Sequence, residues 1–310
     1  MRVISLFSGA GGLDLGMVKT GNHIVWANDI DEDAVETYRH NLGSEIVCGD
    51  INDLDISKIP DGDVVIGGFP CQGYSVANKN RSPEDERNQL YLSFIKVVKT
   101  KKPNFFIAEN VRGILSLDGG KAIEVILQEF RDVGYEVRLY KVNMADYGVP
   151  QSRQRVIIIG QKDGVSDRFL FRFPKATHGK ESGIPWVSIS SAIGHFPNPD
   201  SENNVPNHVY SLYAVKYRNF TAHRKTDPEK PSPTILARGN GKGGVCAIPH
   251  YNGKRRLTVR ESATIQTFPD DFEFFGSMTS CYRQVGNAVP PLFSELLGRE
   301  LMRIESEDLS

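Results

Sequence analysis

The feature that most constrains this chain is an alternation over about its first 165 residues, in which short β-branched or aromatic runs take turns with segments of helical period. Val3–Phe7 reads as a strand, followed by a Gly-rich turn and a helix from Leu13 to about Thr20. His23–Asn28 is a second strand and Asp33–His40 a helix. Val64–Gly68 and Phe105–Ala108 are buried-strand candidates, while Gln89–Lys99 and Lys121–Val133 carry helical spacing. Tyr135–Val142 and Arg155–Gly160 close the series. Repeated βα units imply an α/β fold, a mainly parallel sheet with helices on both faces. Such sheets bind ligands beyond the carboxyl ends of their strands, so that is where the chemistry belongs.

From about Ser166 the texture changes. Prolines at 174, 185, 197, 199, 206, 228, 231 and 233 interrupt any helix, and glycines 239, 241, 243 and 244 cluster with Arg238 and Lys242. Residues 175–282 therefore read as a smaller, irregular domain. Helical signals return at Thr258–Gln266, with Thr258 as N-cap and Glu261 three residues on. The chain closes in an amphipathic helix, Pro291–Ile304.

With 310 residues, 39% of them hydrophobic, the chain can bury one large core, or one large and one small. No apolar run approaches the ~20 residues that span a bilayer. Met1–Phe7 lacks the apolar stretch and cleavage site of a signal peptide. Cys48, Cys71, Cys246 and Cys281 are scattered without a C-x-x-C pair, which argues against a metal site or disulfide framework and fits a reducing cytoplasm. The net charge of −1 hides an asymmetry. Lys216–Arg256 holds ten Lys/Arg against Asp227 and Glu229, a segment charge of +8, leaving about −9 for the rest. Such an excess fits either a phosphate-binding surface or a solvated face.

The strand ends are more specific. Phe7-Ser8-Gly9-Ala10-Gly11-Gly12-Leu13 allows a tight turn and close backbone approach to a ligand, yet Asp14 stands where a dinucleotide fingerprint needs its last glycine. Asp29, 20 residues after Gly9, could hold ribose hydroxyls, and Asp50 could accept from an adenine amine. Together they point to an adenosine-containing cofactor. Gly68-Phe69-Pro70-Cys71-Gln72 follows a buried strand, and Pro70 stiffens the approach to Cys71. A lone cysteine there is usually a small core residue, because a nucleophilic thiol needs a positive neighbourhood or a proton acceptor. Glu109, at the next strand end, and Arg153 and Arg155, entering the last strand, make a thiol–carboxylate–guanidinium constellation possible.

Those segments, with Asn28-Asp29, Gly49-Asp50-Ile51, Glu109-Asn110-Val111, Gln151–Arg155, Arg256–Glu261 and Gln284–Pro290, resemble the ordered motif series of the DNA cytosine-5 methyltransferases of prokaryotic restriction-modification systems. The resemblance runs in the family's order across nearly the whole chain. It implies a Rossmann-like, S-adenosylmethionine-dependent catalytic domain from 1–174 and 283–310, with 175–282 as the target-recognition domain. It implies that Cys71 attacks C6 of a flipped-out cytosine, that Glu109 holds N3, that Arg155 bonds O2 and that Arg153 supports the active loop. Phe7, Gly9, Gly11, Leu13, Asp29, Ile30, Asp50, Ile51, Pro70, Leu90, Asn287 and Ala288 would form the cofactor pocket. Asp29 stands where many relatives carry Glu, and Ile30 where many carry an aromatic.

By the same resemblance, Tyr74–Leu90 is a loop that closes over DNA, with Gln72 and Ser75 among its contacts. Thr234 and Ile235 match a Thr-hydrophobic pair of the recognition domain, while Arg238 and Lys242 could contact bases or phosphates. Arg224, Lys225, Arg255 and Arg256 read better as contacts to the DNA backbone or as structural ion pairs. The implied partner is double-stranded DNA, with a restriction endonuclease as functional counterpart, no membrane and a monomeric state. A tRNA cytosine-5 methyltransferase is an alternative, but its usual Cys-Phe-Thr signature is not seen. A non-catalytic DNA-binding protein on the same scaffold is another, weakened by the presence of Cys71, Glu109 and the Gly-rich turn.

Overall fold

A computed structural model describes residues 1–69, 86–217, 223–237 and 247–307, with residues 86–89 by backbone alone. The chain runs β1 (Arg2–Leu6), α1 (Gly12–Lys19), β2 (His23–Asp29), α2 (Glu32–Asn41), β3 (Ile46–Cys48), β4 (Val64–Gly67), α3 (Glu86–Lys101), β5 (Phe105–Val111), α4 (Lys121–Asp132), β6 (Tyr135–Asn143) and β7 (Gln154–Lys162). Among the described residues, four further α-helices follow: α5 (Ile189–Ile193), α6 (Val259–Ile265), α7 (Met278–Asn287) and α8 (Pro291–Glu307).

The strands form one seven-stranded sheet in the order β3-β2-β1-β4-β5-β7-β6. The first five pair in parallel, as the βα alternation requires. β7 runs antiparallel to both β5 and β6. Every other residue of a strand points to the same face, so one sheet feeds two cores. Val3, Val64, Ile66, Phe105, Ile107 and Ile157 pack against Met17 of α1 and Phe293, Leu297 and Leu301 of α8. Ile4, Leu6, Val65, Phe106 and Ile158 face the other way, against Phe94 and Val98 of α3 and Phe130 of α4. The strand Gly160 lies under the Phe106 ring, where any Cβ would come within 1.9 Å.

α8 returns from the end of the chain to lie on α1. Gly16 and Gly298 make this approach possible, since a Cβ on either would fall within 2.4 Å of the opposite element. The irregular part of the chain has its own core of Ile189, Ile193, Ile248, Leu257, Val259 and Phe272, continuous with Val285 of α7 and with Ala10 of the Gly-rich turn. α6 begins with the expected capping box: the Thr258 hydroxyl accepts from Glu261 N–H, and the Glu261 carboxylate accepts from Thr258 N–H. Among the described residues, no helix is long and apolar enough to cross a membrane.

Candidate active site

The register of the sheet gathers the candidate residues at one edge. Leu6 pairs with Gly67 and Gly67 with Ala108, so the carboxyl ends of β1, β4 and β5 are level. Phe7, Gly68 and Glu109 therefore emerge side by side. β7 is antiparallel, which brings its beginning to this edge, with Arg155 opposite Val111. A strand reversed in direction is thus what sets a guanidinium beside the carboxylate of β5.

Arg155 Nε lies 2.7 Å from Glu109 Oε1, and both side chains are largely buried. The contact is off the N–H direction, and neither atom has a directed hydrogen bond. Charge, rather than a directed bond, holds the pair. Glu109 also faces Gly68, where a Cβ would sit 3.1 Å from Oε2. The glycine thereby leaves space beside the carboxylate. A planar ring with a donor and an acceptor could replace this contact with directed hydrogen bonds to both groups.

Asn110, to which the sequence assigned no separate role, ties the neighbouring strand end. Its Nδ2 donates to Phe69 O at 3.0 Å, and its Oδ1 accepts from Val111 N–H. The last described backbone before Pro70 and Cys71 is fixed by that bond. Cys71, Pro70, Gln72 and Ser75 lie outside the described residues, as do Arg238 and Lys242.

Arg153 is buried and grips three carbonyls. Nη1 donates to Ile235 O at 3.1 Å, and Nη2 donates to Gly286 O at 3.1 Å and Ala288 O at 2.9 Å. Burial pushes its guanidinium down to about 9; the Arg155 charge adds to the effect and Glu109 opposes it. These contacts join three distant stretches of chain. Gln151 and Gln266 reinforce the joint. Gln151 Oε1 accepts from Ile235 N–H and its Nε2 donates to Gln266 Oε1, while Gln266 Nε2 donates to Val285 O. Thr234 Oγ1 donates to Ser152 O at 2.7 Å, and Ile235 is 2% exposed. Thr234 and Ile235 are thus structural parts of this joint, and Ile235 offers almost no surface to a ligand.

The adjoining cleft combines an open cradle with polar ends. Phe7, Gly9 and Gly11 all have positive φ, so the chain turns sharply off β1. A Cβ on Gly9 would meet no atom within 4 Å, whereas one on Gly11 would strike Leu42 and Tyr38. Asp29 accepts from Gly9 N–H through Oδ2 at 2.7 Å and from Asp31 N–H through Oδ1 at 2.9 Å. Burial raises its pKa, and these bonds work against the rise. The next residue, Ile30, is 66% exposed, a large apolar face beside a half-buried acid. Asp50 Oδ1 accepts from the Asn52 backbone and side chain, and Ile51 is buried behind it. Leu13 is buried, Leu90 half-buried and Asn287 exposed, while Ala288 abuts Gly12. Open backbone, an exposed apolar side chain and two strand-end carboxylates fit an adenosine-bearing cofactor.

Behind this cleft lies a group the sequence reading treated only as a departure from the dinucleotide pattern. Asp14 is fully buried, and its Oδ1 accepts from Tyr38 Oη at 3.0 Å. Burial pushes it up to about 6, against the Ser5 and Tyr38 hydroxyls, which favour the carboxylate.

The basic segment splits in two. Arg255 forms a bidentate pair with buried Glu261 at 2.6 and 2.7 Å, a structural ion pair, one of the two readings its sequence left open. Arg256 is wholly buried on the carbonyls of Tyr213, Ala214 and Ala247. Lys216, Arg224, Lys225 and Lys254 are exposed.

Comparison with known proteins agrees with this geometry. The C-5 cytosine-specific DNA methylase family matches residues 1–303. Type II methyltransferase M.NgoFVII of Neisseria gonorrhoeae is 40% identical over 99% of this chain and 88% of its own. Type II methyltransferase M.MthTI of Methanothermobacter thermautotrophicus is 36% identical over 98% of this chain and 97% of its own. Among solved structures, an E. coli chain assigned as a prophage-encoded DNA modification methyltransferase superposes with a TM-score of 0.78 at 26% identity, covering 99% of this chain and 100% of that one. The S. pombe Dnmt2 methyltransferase shares the fold, with a TM-score of 0.71 at 19% identity over 98% of this chain and 99% of that one.

Proposed function

Because this chain belongs to the C-5 cytosine-specific DNA methylase family, as a type II enzyme of a restriction-modification system that uses S-adenosylmethionine, we propose that Cys71 is its nucleophile and that Glu109 and Arg155 hold the target cytosine. The observation that carries the reading is the buried Glu109–Arg155 contact, close but undirected, at the strand edge from which Gly68-Phe69 leads into Pro70-Cys71.

When bound, the cofactor supplies an electrophilic methyl group on a sulfonium. The Cys71 thiolate adds to C6 of the pyrimidine, which makes C5 electron-rich. Glu109 shares a proton with N3, so the negative charge arising in the ring is neutralised, and Arg155 donates to O2. After the methyl has moved to C5, a base removes the C5 proton, the C6–S bond breaks and Cys71 leaves as thiolate. Attack on C6 needs access to the ring face, which a stacked base denies. The cytosine is therefore flipped out, at a cost of a few kcal/mol.

Phe7, Gly9, Gly11 and Leu13 serve the methionine end of the cofactor. Asp29 holds the ribose, Ile30 covers the adenine, and Asp50 and Ile51 read its edge. Pro70, Leu90, Asn287 and Ala288 complete the pocket. Arg153 is a positioning residue in this scheme, carrying the strand edge, the 235 segment and the end of α7 as one unit. Residues 1–174 with 283–310 act as the catalytic domain and 175–282 as the recognition domain, joined at Thr234 and Ile235. Gln72, Ser75, Arg238 and Lys242 contact DNA. The enzyme works as a monomer in the cytoplasm, shielding sites that a partner endonuclease cuts.

A duplex containing 5-fluorocytosine at the target tests the nucleophile, because fluorine at C5 blocks the final elimination. The wild-type protein with its cofactor should form a denaturation-stable DNA adduct, and Cys71→Ser should form none. An undiminished adduct with Cys71→Ser would remove Cys71 from the mechanism.

A further inference from the structure

Among the described residues of the irregular part of the chain, 209–217 carry the largest concentration of exposed apolar side chains. Leu212 is 88% exposed, Tyr213 67%, Val209 53% and Tyr217 51%. Apolar residues scattered singly over a surface are ordinary, but several within nine residues mark a contact surface.

The backbone beneath them is fixed. Arg256, without solvent exposure, donates to Tyr213 O and Ala214 O, both at 3.2 Å, and to Ala247 O at 2.7 Å. A buried guanidinium spent on carbonyls holds the segment so that its side chains turn outward.

Cations surround this strap. Lys216 lies within it, and its carbonyl contacts His223 Nδ1 at 3.0 Å, which brings Arg224 and Lys225 alongside. Tyr217 Oη reaches the turn at Gly253, next to Lys254. All four cations are exposed, and none forms an ion pair among the described residues. Two nearby acids are engaged: Asp227 pairs with Lys230, and Asp200 accepts from Tyr210 Oη. An apolar ridge flanked by exposed cations is complementary to a polyanion with stacked bases. The same charges would repel a second copy placed symmetrically on the patch.

We propose that the 209–217 strap is a DNA-reading wedge: Leu212 and Tyr213 pack against bases in the groove of the duplex, while Lys216, Arg224, Lys225 and Lys254 hold the flanking phosphates. This goes beyond the catalytic assignment and needs only that the substrate is duplex DNA. Apolar wedges of this kind make specificity depend on how readily a base step opens.

The test compares full-length protein with a Leu212→Ala/Tyr213→Ala variant and with a variant carrying Gln at 216, 224, 225 and 254. Each is titrated with a duplex bearing its mapped methylation site and with a scrambled duplex, over a range of salt. Cofactor binding and the thermal midpoint check that each variant is folded. The wedge variant should bind the specific duplex roughly tenfold or more weakly while its scrambled-duplex affinity barely changes, equivalent to one mismatched contact or more. The glutamine variant should lose affinity for both duplexes and flatten the slope of log K against log salt by about 3–4 units. Unchanged specific affinity in a folded wedge variant would overturn the proposal. So would a wild-type dimer, seen by sedimentation, that the wedge variant abolishes, since the patch would then serve self-association. Neither result would touch the role of Cys71, which the fluorocytosine adduct reads separately.

Discussion

Glu109 and Arg155 meet because β7 enters the sheet in reverse: the beginning of β7, not its end, lies beside the end of β5, which puts Arg155 Nε 2.7 Å from Glu109 Oε1. A pyrimidine placed there would meet an acceptor and a donor at once. Replacing Glu109 by Gln keeps the shape and removes the proton exchange with N3. We expect kcat to fall roughly 10²–10⁴-fold, the range of a lost general acid–base group. Calorimetric affinity for S-adenosylmethionine should stay within a few-fold. A large loss of cofactor affinity with unchanged chemistry would place Glu109 in the other half of the cleft.

Arg153 satisfies the carbonyls of Ile235, Gly286 and Ala288 at a buried site. Arg153→Met would take the guanidinium donor from Ile235 O and Gly286 O, while Ala288 O keeps Gln266 Nε2, at about 1–3 kcal/mol for each acceptor that water cannot reach. The denaturant midpoint should drop markedly, and Arg153→Lys should recover only part because an ammonium cannot span the three carbonyls. An unchanged midpoint with Met at 153 would show that the joint does not depend on it.

Much of this was legible in sequence, and the exceptions share a cause. The strand-end signals at Phe7–Gly12, Asp29, Gly68-Phe69 and Glu109 were readable because turn chemistry and buried-strand composition are local. The reversal of β7 was not, since Arg155–Gly160 would look the same in a parallel sheet, and pairing across the sheet decides it. Arginine reads as a surface residue, yet Arg153, Arg256 and Arg260 are buried, with carbonyls of the remote residues Ile235, Tyr213 and Pro206 among their acceptors. Thr234 and Ile235 resembled DNA contacts, and their anchoring in the joint was not legible, because Gln151 and Ser152, more than 80 residues earlier, receive them.

Asp14 gives the fold a pH signature. Its native pKa of about 6 lies above the ordinary 3.8, so between those values the folded protein keeps a proton that the unfolded chain has released. Stability from this group is therefore greatest at low pH and declines as pH rises from about 4 to 6, by about 3 kcal/mol, with no further change above. Asp14→Asn retains an acceptor for Tyr38 Oη and removes the titration. Urea unfolding of both proteins from pH 4 to 7 should show the variant gaining on the wild type as pH rises through that window. A difference independent of pH would contradict the assignment.

Gly286 lets the 236–237 backbone pass against α7: a Cβ there would come within 2.4 Å of Leu236 C and Ala237 N. Backbone cannot move aside as a side chain can, so Gly286→Ala should destabilise by about 1–3 kcal/mol, as overpacking does. Because the same segment leads toward Arg238, DNA affinity should fall more than cofactor affinity. Equal losses in both would mean that the substitution acts through global stability alone.

The most direct test of the central claim is to incubate the protein with methyl-labelled S-adenosylmethionine and duplex DNA of mixed sequence, with tRNA in a parallel reaction, and to map the DNA product by bisulfite sequencing. The account predicts label on DNA, with protected cytosines confined to one recurring short site. Label on tRNA alone, or labelled DNA without a protected cytosine, would contradict it.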